Sequence, residues 1–325
     1  MRSLKIITYS FIFITFALSA HGSTKGEEFF EQGKLEESKE IWQKALESDN
    51  QNNKALFYLA RIAYEQNDLD LSEDYFEQSL ELKPNSAEEY YWFGRMSSRQ
   101  ATNASIFTAL GYAEDAENAF IQAIKQDDSH LLAYKGLFNF YLEAPSIAGG
   151  SEENAKKLIS KINALSREEG QLTKLKFYEK TDKKKHANQI ALDLLKAQDV
   201  SAKVKFRSAM ILQSNELFGD AFIGFQSIVK QPQTESNALY WKASIYQIGR
   251  TSVISDSKYD IGISAFNQYL TLELSDKLPS KQWASFRLSQ LLKASGQNDK
   301  AIKIIEQLKT SQLSDVQLIE KVKNF

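Results

Sequence analysis

Small and large side chains return along this chain at helical spacing. In Glu36–Leu46 (EESKEIWQKAL) a small residue, Ser38, is followed four positions on by Trp42 and three further by Ala45. Sliding this segment along the sequence gives a row of small residues at Ser38, Ser72, Ala116, Ala155, Ala187, Ala221, Gly262 and Ala301. Four positions after each stand Trp42, Phe76, Phe120, Ile159, Ala191, Phe225, Phe266 and Ile305, with Ala191 the weak member. Three further on come Ala45, Ser79, Ala123, Ile162, Leu194, Ile228, Tyr269 and Leu308. Steps of four and then three put all three rows on one face of a helix. Successive small residues are separated by 34, 44, 39, 32, 34, 41 and 39 positions, a period in the range of stacked helical repeats.

Each of these helices has a predicted partner before it. Leu56, Leu59 and Ala60 return 34 residues later as Tyr90, Phe93 and Gly94, and Tyr134, Leu137 and Tyr141 repeat the offsets, with Phe138 where a small residue is expected. Gly26, Ala60, Gly94, Ala209 and Ala243 are small where two helices are expected to approach closely. Gly33, Asn67 and Gly296 lie between paired helices, as residues that tolerate a left-handed helix end. Pro84, Pro232 and Pro279 fall between pairs and Pro145 within a loop, so none interrupts a helix.

This pattern resembles the tetratricopeptide repeat, a helix–turn–helix unit of 34 residues. The best copies are Phe29–Asn50, Asn53–Pro84 and Ala202–Gln233. The resemblance implies an all-α fold, a right-handed helical solenoid of about eight degenerate repeats. It would span residues 21–325, with sub-blocks 24–167 and 168–325. Steps longer than 34 predict insertions at Gln100–Tyr112 (QATNASIFTALGY), Glu143–Gly150 (EAPSIAGG) and Gly249–Tyr259 (GRTSVISDSKY). These resemble loops of exported bacterial repeat proteins that carry a Pro and Gly-Gly loop, and Phe138–Ser151 (FNFYLEAPSIAGGS) is the most specific piece.

The beginning of the chain reads as an address. Arg2 and Lys5 precede an uncharged apolar run, Ile6–Ala20, and small residues follow at Ala17, Ser19, Ala20 and Gly22. That is the pattern of a cleaved secretory signal peptide, residues 1–20, with cuts placed after Ser19, Ala20 or Gly22. The run is short of the ~20 residues that span a bilayer, so no stable membrane anchor is expected after cleavage. The expected location is periplasmic or secreted.

Composition narrows the chemistry. In 325 residues there are 40 Lys and Arg, 42 Asp and Glu, three His and no Cys. The net charge of −2 gives no global reason to bind nucleic acid. Without Cys there is no thiol catalysis, Cys-ligated zinc, iron–sulfur cluster or disulfide, and His21, His130 and His186 are far apart in sequence. His130 and His186 read as solvent-facing. Gly149, Gly150 and Ser151 open a helix, but Glu152 and Glu153 already occupy its positive end, so Ser151 is expected to be an N-cap. Asp68, Asp70, Ser72 and Asp74 alternate as calcium ligands do, yet Glu73 stands where the loop needs Gly. The run Lys180–His186 reads as a solvated turn. No catalytic, cofactor-binding or metal site is expected, and the chain is not expected to be an enzyme.

A stacked repeat presents a concave surface, and the expected function is an exported scaffold that binds a protein or peptide through it. The alternative is an accessory envelope module contacting peptidoglycan, polysaccharide or a lipid carrier. In the family, positions five and nine of each first helix face the groove, which here gives Phe57, Arg61, Tyr91, Arg95, Lys135 and Asn139. Lys135 and Asn139 resemble half of the carboxylate clamp some members use for peptide C-termini. Arg99, one turn beyond Arg95, and Tyr64 complete a basic, aromatic surface suited to acidic or carboxylate groups.

Overall fold

The structure is a computed structural model that describes residues 24–82 and 86–325. The expected signal peptide and Pro84 lie outside the described residues. Among those described, all regular structure is helical. The chain divides into two units, one ending at Ser166 and the other running Arg167–Phe325.

The first unit comprises α1 (residues 24–31), α2 (Leu35–Ser48), α3 (Asn53–Glu65), α4 (Leu69–Glu81), α5 (Ala87–Asn103), α6 (Ile106–Gln126), α7 (Leu131–Glu143), a 3-10 turn (Ser146–Ala148) and α8 (Glu152–Leu165). The second comprises α9 (Arg167–Lys180), α10 (Lys184–Lys196), α11 (Ala202–Ser214), α12 (Phe218–Val229), α13 (Ala238–Ser255), α14 (Tyr259–Leu270), α15 (Lys281–Ala294), α16 (Asn298–Thr310) and α17 (Val316–Lys323). In each unit a helix packs on the one that precedes it and on the one that follows, so the pairs form a stack of helical repeats.

The predicted rows are the seam of that stack. Every member of the small-residue row is buried. Two do more than make room: Ser38 Oγ donates to the Gly26 carbonyl at 2.8 Å, and Ser72 Oγ to the Ala60 carbonyl at 2.9 Å. Each hydroxyl therefore ties the second helix of a pair to the backbone of the first. In the second row Trp42, Phe76, Phe120, Ala191, Phe225, Phe266 and Ile305 are buried, and Ile159 is half-buried. Burying one such large apolar side chain stabilises the fold by about 1.5–3 kcal/mol. The rings need gaps opposite them. A β-carbon on Gly26 would lie 2.7 Å from the Trp42 ring, and one on Gly94 would lie 2.9 Å from Phe120.

Turn chemistry also follows the sequence. Gly33, Asn67 and Gly296 adopt φ of 72°, 64° and 79°, the left-handed conformation expected where a pair turns. Asn52, Asp68, Ser151 and Ser201 cap the helices that follow them. Ser86 and Glu89 form a reciprocal capping box at the start of α5. The buried Glu89 carboxylate also accepts from Asn53 Nδ2 at 2.6 Å and Ser79 Oγ at 2.9 Å, which links α3, α4 and α5.

Three expectations need correction. The predicted loop at Gln100–Tyr112 is mostly helix: α5 runs 17 residues and α6 runs 21, with only Ala104 and Ser105 between them. The segment carries no Pro, and Ile106, Ala109, Leu110 and Ala113 hold helical spacing, so the extra residues lengthen the hairpin. Gly249–Ser255 likewise continues α13, and the close approach expected at Ala243 moves to Gly249, against which Phe266 packs. A β-carbon on Gly249 would lie 2.6 Å from that ring. The surplus between Gly262 and Ala301, unplaced by the sequence, falls in the connection 271–280. Beyond the pairs, α17 buries Leu318 and Val322, an i, i+4 pair that the repeat pattern does not contain.

Candidate functional site

The first helices of the first unit carry a ladder of alternating rings and guanidinium groups. Arg61 lies with its guanidinium carbon 4.3 Å from the Phe30 ring and 4.3 Å from the Trp92 ring. Arg95 covers the Trp92 ring at 4.2 Å and Tyr64 at 5.2 Å, and Arg99 lies 5.0 Å from Tyr64. Arg95 Nη2 donates to the Tyr64 hydroxyl at 3.4 Å, and Arg99 Nη1 to the Tyr64 carbonyl at 3.1 Å. Among the described residues no carboxylate forms an ion pair with Arg61, Arg95 or Arg99. Burial holds the Arg61 guanidinium below its usual range, and burial raises the Tyr91 phenol above its own.

Glu88 fixes one end of this ladder. Its carboxylate accepts from Trp92 Nε1 at 2.8 Å and meets His130 Nε2 at 2.9 Å. His130 is not solvent-facing, as its sequence neighbours suggest; its side chain is largely buried against the Tyr91 ring. Its Nδ1 accepts the Ala133 amide at 3.0 Å and caps α7, which leaves the proton on Nε2 to be donated to Glu88. His186, in contrast, is exposed and stacks on Tyr178. Neither Glu88 nor His130 stands out in the sequence, although Glu88 and Trp92 sit at the i, i+4 spacing of helical neighbours.

A cleft of about 980 Å³ opens beside the ladder. It brings together six of the eight residues predicted to line a groove: Tyr64, Tyr91, Arg95, Arg99, Lys135 and Asn139. Phe57 and Arg61 lie outside it. Phe57 packs edge-on against Phe76, and Arg61 is held between Phe30 and Trp92. The other wall comes from the two insertions of the unit. Ile106, Ala109, Leu110 and Ala113 are supplied by the lengthened α6, and Pro145, Ile147 and Ala148 by the segment after α7. These two departures from the repeat period, about 40 residues apart in sequence, thus meet at one place.

The cleft has a charged side and an apolar side. Arg95, Arg99 and Lys135 face one carboxylate, Glu143, among the lining residues. Its volume lies at the upper end of ordinary ligand sites, and its lining holds no nucleophile–base pair. Among the described residues no group of three or more His, Cys, Asp or Glu is placed to hold a metal ion. No helix among them is long and apolar enough to cross a membrane.

A stack of short helix pairs is the architecture of a helical-repeat protein. Residues 24–87 match the family model of the tetratricopeptide repeat, and helix pairs of the same kind follow through α16. A tetratricopeptide repeat protein from Parabacteroides merdae is similar in structure, with a TM-score of 0.51 over 84% of this chain and 98% of its own, at 12% identity. Yeast Tom70 is similar with a TM-score of 0.55 over 89% of this chain, which spans 58% of the Tom70 chain, at 14% identity. Both likenesses are of fold. No curated protein matches the sequence.

Proposed function

We propose that this protein is an exported, non-catalytic scaffold that holds an acidic segment of a partner protein in the cleft of its first unit. The fold is one that serves protein–protein interaction, and the cleft gives it a direction. The carrying observation is that Arg95 and Arg99 are positioned by aromatic rings rather than neutralised by carboxylates. A planar guanidinium fork fixed in this way can donate two parallel hydrogen bonds to a carboxylate from outside. Export rests on the apolar run Ile6–Ala20 behind Arg2 and Lys5.

The double variant Arg95→Glu with Lys135→Glu tests the site. It is expected to lose capture of the native partner while keeping its helicity by circular dichroism. Undiminished capture would remove the cleft from the mechanism, and recovery of a purified glycan instead of a protein would favour an envelope-polymer module. N-terminal sequencing of the native protein tests export, with a first residue between Ala20 and Ser23 expected and Met1 the result that overturns it.

A further inference from the structure

Resting on the reading of the cleft as a protein-binding surface, we propose that its occupant is an amphipathic α-helix whose apolar stripe is bordered by acidic residues. Three observations separate this from an extended peptide. The first is the pattern of the walls. Ile106, Ala109, Leu110 and Ala113 follow i, i+3, i+4, i+7 along α6, and Leu132, Gly136, Asn139 and Glu143 follow i, i+4, i+7, i+11 along α7. Both walls are thus continuous helical stripes, the surface against which another helix packs by ridges and grooves.

The second is backbone satisfaction. An extended peptide needs partners for its own amides and carbonyls, and two of the hydroxyls lining the cleft are already committed. The Ser98 hydroxyl donates to the Gly94 carbonyl at 2.7 Å and the Thr102 hydroxyl to the Ser98 carbonyl at 3.0 Å, so both are turned back onto α5. A helix satisfies its backbone internally and needs only side-chain contact.

The third is size. Two turns of helix, about 10 Å across and about 11 Å long, occupy roughly 850 Å³. The cleft holds about 980 Å³. Ile106 is 68% exposed and Ile147 73% exposed, apolar lining residues that such a helix would cover. Charge sets the polarity of the occupant. Arg95, Arg99 and Lys135 outnumber Glu143 along the lining, so the border of the incoming stripe must be acidic.

The test uses the exported full chain and three dye-labelled peptides about 14 residues long, enough for about four turns. One carries Leu at helical spacing bordered by Glu. The second has the same composition with Leu and Glu alternating, amphipathic only as a strand. The third replaces Glu by Lys in the helical order. Fluorescence anisotropy should show the acidic helical peptide binding at least about tenfold tighter than either of the others. Ile106→Asp and Ile147→Asp, both at exposed positions, should each weaken it by about tenfold with unchanged melting temperature.

Equal binding of the alternating isomer would overturn the helical occupant, and equal binding of the Lys peptide would overturn the acidic border. Absence of binding by all three would also overturn the inference. In each of these cases, loss of native capture by the Arg95→Glu, Lys135→Glu variant would still stand for the broader binding role, so the two failures are separable.

Discussion

The ring of Phe120 occupies the place where a β-carbon on Gly136 would stand, with Cε1 2.5 Å from that point. The same ring lies 2.9 Å from the corresponding point on Gly94, so one aromatic on α6 is wedged between α5 and α7. Both first helices omit a side chain to admit it. Gly136→Val is expected to lower stability by about 1–3 kcal/mol, because the ring has backbone on its far side and cannot retreat. The gain in helix propensity over Gly is smaller than this, at most about 0.5 kcal/mol. A urea unfolding midpoint measures the balance, and an unshifted midpoint would mean that the ring has another place to go.

Ser72 tests whether the buried hydroxyls of the seam matter beyond their size. Ser72→Ala keeps the close approach but deletes the bond to the Ala60 carbonyl. The expected loss is about 0.5–1.5 kcal/mol in chemical denaturation. Ser72→Val, which removes the bond and adds bulk at a fully buried point, should cost more. A Val variant as stable as the Ala variant would contradict the tight packing there.

Arg61 is held by two ring faces and by burial rather than by an acid. Arg61→Lys replaces a flat, weakly hydrated cation with a compact, strongly hydrated one, so the exchange is not conservative. It should lower stability by roughly 0.5–2 kcal/mol. A double-mutant cycle with Trp92→Leu isolates the stacking contribution, and zero coupling would assign Arg61 a purely space-filling role.

Tyr141 sets a limit on alkaline stability. Burial, and then its 2.7 Å hydrogen bond to Glu117, raise the phenol well above its ordinary value near 10. The folded chain therefore keeps the proton that the unfolded chain releases. This stabilisation is complete below about pH 10 and is lost as pH rises toward the folded value. Melting temperature should fall above about pH 10, and Tyr141→Phe should flatten that fall while lowering stability at neutral pH. Tyr269, raised by its own burial, retains part of the slope. An unchanged alkaline slope in Tyr141→Phe would place the ionising group elsewhere.

The seam was legible in the sequence because its constraint is local. A second helix can approach the first only where Ser38, Ser72, Ala116 or Ala221 is small, and the chain must turn where Gly33, Asn67 or Gly296 permits it. These needs recur with the repeat. The cleft was half legible. Position within the repeat picked out Tyr91, Arg95, Lys135 and Asn139, and nearness to them added Arg99 and Tyr64, but Phe57 turned to the core and Arg61 to its ring sandwich. Nothing in the linear order of Ile106 and Ile147 shows that they line one cleft, since that depends on how α6 and α7 pack. His130 was misread for the same reason: its flanking Asp-Asp-Ser suggests solvent, whereas Glu88 and Tyr91 arrive from a different helix.

The lengthened hairpin of α5 and α6 has a consequence for how such a protein diversifies. Its added residues appear as extra turns on two antiparallel helices joined at Ala104 and Ser105, so Gly94 and Phe120 keep the close approach found at Gly26 and Trp42 in the first pair. Neighbouring repeats keep their registry. Lineages can therefore gain or shed turns at this tip, altering what the cleft admits, while mutational load on the shared core stays the same.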